Sequence, residues 1–392
     1  MLSHLCQVNY RKHILIAPLN WGLGHATRCI PIIRSLVSEN YKVTIASDGQ
    51  ALDLLKKEFP SVPFIKLPSY RITYAIKSAD FKKKMLRNIP QILRAIKEER
   101  KKLNSLIESL EIDAVISDNR LGMYTSKVPA ILISHQLNVL SGRTTWFTTW
   151  IHRFYIQKFD ECWVPDILGD TNLSGVLGHP KKPLNIPTKY IGILSRMESA
   201  TVPYKYKVIA VLSGPEPQRS LLRELLYSEL RKLPGKALLV EGVISRSQES
   251  SVKGNVTIIN YLTSTQLEKA INASEFVIAR SGYTTVMDLA RLQKKVFFIP
   301  TPGQPEQEYL AMRLKKLCIA PYSTQETFKI KDLAGLKVYK GFSTNYQSGN
   351  FSNFFSFFHC ERKLRTNTKF ALYINLFFMR FYNVFYDRQT QS

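Results

Sequence analysis

The chain has 392 residues, of which 45% are hydrophobic, and this is enough for two α/β domains that each have a core. Charged residues make up 22% of the chain and aromatic residues recur throughout, which excludes a disordered protein. The formal net charge of +25 indicates an acidic partner, which could be nucleic acid, an anionic membrane surface or a phosphate-bearing substrate.

The cysteine pattern and the absence of known binding motifs reduce the number of partner classes that the sequence supports. The five cysteines are scattered and form no C-x-x-C pair, so neither a disulfide framework nor a zinc site is expected. No zinc finger or arginine-rich arm appears, and we expect no nucleic-acid partner. No uncharged apolar stretch is long enough to span a bilayer. The predicted location is the cytoplasm, with peripheral contact with an anionic membrane as an option.

Strand-like runs alternate with helical patterns in two successive series. The first series of strands is His13–Ala17, Lys42–Ala46, Ala114–Ser117 and Ala130–Ser134. The second is Lys207–Leu212, Ala237–Val240, Val256–Ile259, Phe276–Ala279 and Lys295–Ile299. Helices are predicted at Thr27–Asn40, Arg219–Lys232, Ser264–Ala273 and Thr284–Leu292. This alternation predicts two Rossmann-like, doubly wound parallel-sheet domains that face each other across a cleft.

The predicted boundaries are an N-terminal domain over 1–190, a linker over 191–206, a C-terminal domain over 207–342 and an aromatic-rich tail over 343–392. Two interpretations of the tail stay open: a closing or interfacial helical segment, or a stretch foreign to the ancestral fold, for instance through a shifted reading frame. The basic segment 81–102 is interpreted as a solvated amphipathic helix. The aromatic segment Val139–Phe159 is interpreted as a core helix, with an acceptor-bordering role as the alternative.

The first candidate site is a glycine turn, Gly22-Leu23-Gly24-His25, between a strand and a helix expected to open near Thr27. Glycines allow tight turning, and a helix N-terminus attracts anions. A histidine at such a turn can remove a proton from an acceptor hydroxyl, although an ordinary structural histidine is an equal alternative. Asp118, which ends a strand facing the cleft, is the second candidate for the base.

The second candidate site follows strand Phe276–Ala279. Ser281, Gly282 and Thr284 can present donors to a diphosphate at a helix start, and Asp288 lies one turn further on the same face, where a carboxylate can accept ribose hydroxyls. The loop Thr301–Tyr309 brings polar side chains to the same sheet edge, where a hexose could be held. A capped helix with a solvated aspartate is the structural alternative.

The order of these motifs resembles family 28 glycosyltransferases, the family of the lipid I N-acetylglucosaminyltransferase of peptidoglycan synthesis. The glycine-rich loop with its histidine is similar to Gly22, Gly24 and His25, and the donor motif R-S-G-x-x-T-V-x-E is similar to Arg280–Asp288. The resemblance extends to the family's Q-Q-Y segment at Gln307–Tyr309 and its H-E-Q-N segment at His135–Asn138. This chain differs from the family pattern at two of these positions: Gln136 stands where the family has an acid, and Glu308 stands where the family has an amide.

This resemblance implies a two-domain GT-B enzyme that moves a hexosyl group from a UDP-sugar to a hydroxyl of a glycan or lipid-linked acceptor, with inversion. No D-x-D motif is present, so neither a metal nor another cofactor is expected. The alternatives are a UDP-sugar 2-epimerase of the same architecture and a non-catalytic nucleotide-sugar-binding protein. The implied catalytic residues are His25 and Asp118. The implied acceptor residues are Gly22, Gly24, His135 and Asn138. The implied donor residues are Ser213, Gly214, Leu262, Arg280, Ser281, Gly282, Thr284, Asp288, Gln307 and Glu308.

Overall fold

The structure is a computed structural model that describes residues 11–70, then 81–343 apart from 215, 244 and 246, then Tyr346 and residues 351–359. The chain divides into a compact unit, Met1–Cys360, and a second unit, Glu361–Ser392, which lies outside the described residues. Within the first unit, two parallel sheets define an N-terminal and a C-terminal lobe.

The N-terminal lobe is built on a seven-stranded parallel sheet. Its strands are β1 (His13–Pro18), β2 (Lys42–Ser47), β3 (Phe64–Lys66), β4 (Ala114–Asp118), β5 (Ala130–Ile133), β6 (Glu161–Val164) and β7 (Thr188–Tyr190). Its helices are α1 (Leu23–Ser38), α2 (Gly49–Glu58), α3 (Phe81–Leu110) and α4 (Thr145–Ile156). The strand order is β3-β2-β1-β4-β5-β6-β7. All residues of β1 and β4 are buried, because helices cover both faces of such a sheet.

The C-terminal lobe repeats this plan with a six-stranded sheet. Its strands are β8 (Tyr206–Val211), β9 (Ala237–Val240), β10 (Ser250–Lys253), β11 (Val256–Ile259), β12 (Ser274–Ala279) and β13 (Val296–Phe298). Its helices are α5 (Gln218–Leu230), α6 (Ser264–Asn272), α7 (Tyr283–Arg291) and α8 (Pro305–Lys316). The order is β10-β11-β9-β8-β12-β13, and the edge strand β10 is antiparallel to β11.

In both sheets the chain reverses its winding direction at one place, between β1 and β4 and between β8 and β12. The carboxyl ends of these strands are level, because Pro18 pairs with Asp118 and Val211 pairs with Ala279. Doubly wound sheets bind ligands in the crevice that such a reversal leaves. The loops that follow these strands carry the two candidate sites.

The predicted α/β class with two parallel sheets is confirmed, and the strands predicted within each sheet are present. The sequence did not reveal the short strands β3, β6 and β7, the exposed β10, or helices α2 and α8. The last strand of the first sheet, β7, ends at Tyr190, just before the predicted linker 191–206. The first strand of the second sheet, β8, begins at Tyr206, the last residue of that linker.

The structure confirms the interpretation of one long amphipathic segment and contradicts that of the other. Helix α3 is present, and Ala95, Ile96, Leu103 and Ile107 form its buried stripe, as interpreted. The core-helix interpretation of Val139–Phe159 is wrong for α4, where Ile156 is the buried residue. Trp146 is 68% exposed there. The mixture of apolar and aromatic residues in this segment did not indicate which side of α4 packs against the rest of the lobe.

Residues 351–359 return to the N-terminal lobe. A short helix, α9 (Ser352–Phe355), leads into a 3₁₀ turn, Ser356–His359. The rings of Phe355 and Phe358 meet Tyr41 edge-on, with centroids 5.7 and 5.8 Å apart. The Phe354 ring lies 5.8 Å from that of Trp163. For these nine residues the packing favours the closing-segment interpretation, and the tail beyond His359 lies outside the described residues.

Among the residues that the structure describes, every helix is too short or too polar to serve as a membrane span. The cytoplasmic location and the peripheral membrane contact remain predictions.

A buried arginine, Arg120, fixes α2 and α3 to the carboxyl end of the central strands of the N-terminal sheet. Its guanidinium is fully buried and pairs with Asp48, which precedes α2, and with Glu99 of α3. It also donates to the carbonyl oxygens of Pro18 and Pro68 at 2.9 and 3.1 Å. Two helices and two loops therefore depend on one side chain.

Replacing Arg120 by methionine should lower the free energy of unfolding of the N-terminal lobe by about 3–5 kcal/mol, because Asp48 and Glu99 would stay buried without a counter-charge. The matched change Lys127→Met breaks a more exposed pair with Glu108 and should cost no more than about 1 kcal/mol. Urea titration of both variants measures the difference. Equal losses would contradict the role of Arg120.

Candidate active site

Helix α1 begins earlier than predicted, at Leu23, so His25 lies inside its first turn. Gly22 precedes the helix with φ of 78°, a left-handed conformation that glycine adopts without strain. A Cβ on Gly22 would meet no atom within 4 Å. Glycine is therefore favoured here by the backbone conformation and not by a shortage of space for a side chain. The turn directs the His25 ring toward the end of β4.

The His25 ring, Asp118 and Arg28 form one contact group. His25 Nδ1 lies 3.0 Å from Asp118 Oδ1. Arg28 follows His25 by three residues and therefore shares its helix face. Its Nε donates to Asp118 Oδ2 at 2.5 Å, and a terminal nitrogen donates to Asp118 Oδ1. The two candidates for the base therefore belong to one hydrogen-bonded pair, in which the carboxylate also holds a buried cation.

His25 Nδ1 has two polar neighbours that favour opposite tautomers. Ionised Asp118 can only accept, at 3.0 Å, and the Arg28 terminal nitrogen, which carries two hydrogens, can only donate, at 2.8 Å. In the tautomer that donates to Asp118, Nε2 is unprotonated. The His25 side chain is 15% exposed. An unprotonated Nε2 held in this way has the form that a general base requires.

Burial and nearby charges lower the pKa of His25, and nearby charges lower the pKa of Asp118. Burial, and then the Arg28 cation, lower the pKa of His25 below its usual 6.5. Burial alone would raise the pKa of Asp118, but attraction to Arg28 and then to His25 holds it well below its ordinary range. At neutral pH the pair is thus a neutral imidazole beside an ionised carboxylate.

A second histidine joins this group to the C-terminal lobe. Arg28 donates to His135 Nδ1 at 3.0 Å, and His135 Nε2 lies 3.1 Å from Glu306 Oε1. The Gln136 side-chain amide donates to the other oxygen of Glu306. The His135 ring also stacks on Tyr283, with centroids 4.3 Å apart. His135 is therefore held by both lobes, in the tautomer that donates to Glu306.

The predicted acceptor turn and the predicted donor turn touch each other. Thr284 Oγ1 donates to the Gly24 carbonyl oxygen at 3.2 Å, and a Cβ on Gly24 would lie 2.9 Å from Thr284 Oγ1. Gly24 is therefore a glycine because the second lobe approaches its backbone closely. This contact brings the N-terminus of α1 next to that of α7.

The donor turn has open space before it. Gly282 precedes α7, no side chain caps that helix, and a Cβ on Gly282 would meet no atom within 4 Å. The free amides of the first helical turn can therefore serve an anion. In the loop after the neighbouring strand β8, Ser213 and Gly214 are exposed, and Gly214 has φ of 100°.

Several buried polar atoms of this lobe have no hydrogen-bond partner among the described residues, and two of them belong to Thr301 and Gln218. Thr301 is 2% exposed, yet its hydroxyl has no hydrogen-bond partner among the described residues, and neither has Gln218 Oε1. A Cβ on Gly214 would lie 3.8 Å from the Thr301 hydroxyl. Buried polar groups are normally satisfied, so the Thr301 hydroxyl beside the Gly214 turn is a candidate contact for a polar ligand.

Several predicted donor residues hold the loops around this space. The Arg280 guanidinium is buried and donates to the carbonyl oxygens of Ile299 and Pro300, both at 3.0 Å, and to Gln218 O and Gln325 Oε1. Ser281 Oγ donates to Gln307 O at 2.7 Å. The side chains of Gln307 and Glu308 accept from the amides of Thr301 and Gly303. These contacts fix the shape of the donor loops.

Three further predicted residues lie apart from the His25 group. Asp288 is 9% exposed and accepts from Ser195 Oγ of the linker at 2.7 Å. Leu262, between β11 and α6, packs half-buried against the main core. Asn138 donates to Val176 O and accepts from Arg153. The described contacts place Asn138 beside α4 and not beside His25.

Comparisons with known proteins agree with this architecture. Residues 222–347 match the model of the glycosyltransferase family 28 C-terminal domain, and residues 13–140 match that of glycosyl transferase family 1. An uncharacterized glycosyltransferase of Methanosarcina acetivorans is 25% identical over 334 residues, covering 75% of this chain and 81% of that protein. One of Methanopyrus kandleri is 25% identical over 315 residues, covering 75% and 84%.

Solved structures share the fold at low identity. A Phytolacca americana UGT2, complexed with UDP-2fluoro-glucose and pterostilbene, superposes with a TM-score of 0.57 at 15% identity, covering 84% of this chain and 90% of that chain. The glycosyltransferase SnogD from Streptomyces nogalater gives 0.56 at 13% identity, covering 84% and 91%.

The two facing lobes, their level switch points and these matches define a GT-B glycosyltransferase, and the chain is an enzyme of that class. Within it, the C-terminal lobe matches the family 28 C-terminal domain over residues 222–347, in agreement with the family that the motifs predicted. The particular similarity to the lipid I transferase remains a prediction. No protein named above is an epimerase or a non-catalytic binder, so the comparisons do not favour either alternative.

Four residues of this region were missed by the sequence analysis. Arg28 could have been found from its position three residues after His25 on a helix. Glu306 was visible only as one of several polar residues in the loop Thr301–Tyr309. Thr301 was likewise one polar residue of that loop, and Gln218 gave no signal, since only the folded chain shows that their polar atoms are buried without partners.

The lowered pKa of His25 makes a prediction about pH. A base must be neutral, so activity should fall only when His25 becomes protonated, and the acid limb of kcat/KM should lie below pH 6.5. The NMR titration of the His25 ring, assigned with a His25→Gln variant, should show the same midpoint in the free enzyme. A midpoint at or above 6.5 would contradict the neutral, buried imidazole.

Proposed function

We propose that the enzyme transfers a hexosyl group from a UDP-sugar to a hydroxyl of a glycan or lipid-linked acceptor, by direct displacement with inversion. The observation that carries this proposal is the His25–Asp118 pair, at 3.0 Å, next to the contact between the N-termini of α1 and α7. A base on one lobe and an anion-binding turn on the other are the two parts that such a displacement requires.

His25 is the general base and Asp118 is its orienting partner. His25 Nε2 takes the proton of the acceptor hydroxyl as its oxygen forms a bond to the anomeric carbon. The bond from that carbon to the diphosphate oxygen breaks, and its electron pair leaves with the nucleoside diphosphate. Asp118 stabilises the imidazolium that forms, because its carboxylate accepts the Nδ1 proton throughout. One displacement inverts the anomeric configuration.

The donor lies against the C-terminal lobe. The amides at Gly282 and Thr284 and the positive end of α7 face the diphosphate, with Ser213, Gly214 and the unpaired Thr301 hydroxyl beside them. Arg280, Ser281, Gln307 and Glu308 act by holding these loops. Asp288, which is 9% exposed, accepts from the ribose hydroxyls.

Replacing His25 by alanine should reduce sugar transfer roughly 100- to 10,000-fold while UDP affinity changes by less than about twofold, because the base acts on the acceptor only. Purified enzyme is incubated with a panel of UDP-sugars and glycan or lipid-linked acceptors, and NMR identifies the product and its anomeric configuration. Asp118→Asn should also lose transfer.

Three outcomes would contradict the proposal. These are full transfer by His25→Ala, a product of retained configuration, or a 2-epimer of the donor formed without acceptor. Thermal unfolding of each variant confirms that it is folded, which matters for Asp118→Asn because Arg28 loses its counter-charge.

Replacing Asp288 by alanine should weaken UDP binding about tenfold or more, since a buried carboxylate-to-ribose contact is lost. The control is Ser195→Ala, which removes the hydroxyl that Asp288 accepts from but leaves the carboxylate in place. Calorimetry should show near-normal UDP affinity for Ser195→Ala. If both variants lose affinity equally, Asp288 acts by holding the linker and its ribose role is wrong.

A further inference from the structure

Both ring nitrogens of His135 are occupied by other side chains. Its Nδ1 lies 3.0 Å from a terminal nitrogen of Arg28, and its Nε2 lies 3.1 Å from Glu306 Oε1. The guanidinium can only donate and an ionised carboxylate can only accept, so both contacts require the tautomer with the proton on Nε2. The residue is 5% exposed. His135 therefore has no ring nitrogen left for an acceptor hydroxyl, although the family resemblance implies an acceptor contact.

Tyr283 of the C-terminal lobe fixes the plane of the His135 ring. The two rings stack with centroids 4.3 Å apart and with 8° between their planes. The Tyr283 hydroxyl donates to Pro165 O at 2.7 Å, and the residue is 2% exposed, so close packing holds its ring in place. The hydrogen bonds of an imidazole lie in the plane of its ring. A fixed plane therefore directs the Nδ1 lone pair toward Arg28 and the Nε2 proton toward Glu306.

Arg28 depends on His135 for the nitrogen that Asp118 does not use. The guanidinium gives its Nε and one terminal nitrogen to the Asp118 carboxylate, along one edge of a planar fork. The other terminal nitrogen has His135 Nδ1 as its acceptor. The Arg28 side chain is 2% exposed, and buried donors need a partner, so this contact helps to determine where the guanidinium stays.

The contact matters most when His25 takes up a proton. A terminal nitrogen of Arg28 lies only 2.8 Å from His25 Nδ1. Protonation of His25 places a second cation beside the guanidinium, and both cations then share the Asp118 carboxylate. Because like charges repel, the guanidinium needs an acceptor on its other side to remain bound to Asp118.

Glu306 balances the charge that arrives with this proton. Before transfer the buried group contains one cation, Arg28, and two carboxylates, Asp118 and Glu306, so its net charge is negative. A proton on His25 neutralises the group, which favours proton uptake. Since Glu306 belongs to the donor loop, the C-terminal lobe takes part in a proton transfer that occurs on the N-terminal lobe.

We propose that His135 is a positioning residue for the base. Held by the C-terminal lobe, it accepts the hydrogen bond of Arg28 and keeps the guanidinium on Asp118 while His25 takes the proton of the acceptor hydroxyl. The inference rests on the proposed function, and it replaces the acceptor contact that the family resemblance implies for His135.

Two replacements of His135 separate its two contacts. In His135→Asn the amide stands where the ring carries Nδ1, so Arg28 keeps an acceptor and the contact with Glu306 is lost. In His135→Gln the amide reaches the position of Nε2, so Glu306 keeps its partner and Arg28 loses its acceptor.

The two variants are assayed with the donor and acceptor pair found in the panel of UDP-sugars. We expect His135→Gln to lower kcat about 100-fold or more and His135→Asn to lower it less than about tenfold. The KM for the acceptor should stay within about twofold of wild type in both variants, because His135 does not touch the acceptor. Thermal unfolding of each variant confirms that it is folded.

Nitrogen NMR of isotope-labelled histidine rings gives a readout that needs no substrate. In the wild-type protein at neutral pH, we expect His135 to carry its proton on Nε2 and none on Nδ1. The ring signals of His25 should move in His135→Gln, where Arg28 has lost its acceptor, and should stay close to wild type in His135→Asn.

Three results would overturn the inference: equal kcat in the two variants, a raised acceptor KM without a loss of kcat, or a proton on His135 Nδ1 in the wild-type protein. The proposed function fails in a different way, through absence of UDP binding or of sugar transfer by the wild-type enzyme. In that case, or where a variant does not fold, the tautomer of His135 in the wild-type protein still decides whether it can accept from Arg28.

Discussion

The buried ion pair between Arg28 and Asp118 determines how the active site is arranged. Both side chains are nearly inaccessible, at 2% and 0% exposure, so each requires the other as counter-charge. A guanidinium is planar and presents its donors in a fixed fork. With two nitrogens on Asp118 and the third on His135, it sets the position of β4's last residue and of the segment after β5 at once. His25 Nδ1 then shares Asp118 Oδ1 with a terminal nitrogen of Arg28.

Glu306 extends this arrangement across the cleft. In the family pattern an acid follows the histidine that is here His135, and this chain has Gln136 instead. The structure supplies a carboxylate near that place from the other lobe, because Glu306 accepts from Gln136 and meets His135. Burial alone would raise the pKa of Glu306, but His135 and then Arg28 lower it. The electrostatics of the acceptor side thus depend on a residue that belongs to the donor loop, so separation of the lobes would change both sites together.

The sequence was most informative where one physical cause determines the local structure. Strands β1, β4 and β12 are buried on both faces, so their apolar runs were easy to recognise, and the loops after them could be assigned to the cleft. Edge strands such as β10, with every residue exposed, carry no such pattern. The start of α1 was misplaced because Gly22 lets the helix begin directly after the turn, and nothing in Leu23-Gly24-His25 favours a helix.

Side-chain roles at the site were harder to predict than its location. Arg280 stands in a motif that suggested a diphosphate contact, yet it donates to four oxygens of the surrounding loops. That pairing depends on Gln218, Ile299, Pro300 and Gln325, which are far apart in sequence and meet only in the folded lobe. Trp146 of α4 illustrates the same limit, since hydrophobic identity did not reveal its exposure. Motifs located the turns, and tertiary contacts decided which atoms of each turn are available.

The charges near the cleft favour a donor site, as proposed above, that uses backbone amides and not cationic side chains. The described group contains one cation, Arg28, and two carboxylates, Asp118 and Glu306, so it has no positive side chain left for a diphosphate. The positive ends of α1 and α7 are brought together by the contact between Gly24 and Thr284. Helix dipoles and free amides stabilise an anion without adding a charge that would compete with Arg28 for Asp118. A lysine placed at the cleft instead would pair with Asp118 or Glu306 and disturb the tautomers on which His25 depends. The glycines at 214 and 282 leave the backbone accessible, and in the proposed reaction this would let one site hold a carboxylate-oriented base and a leaving diphosphate side by side.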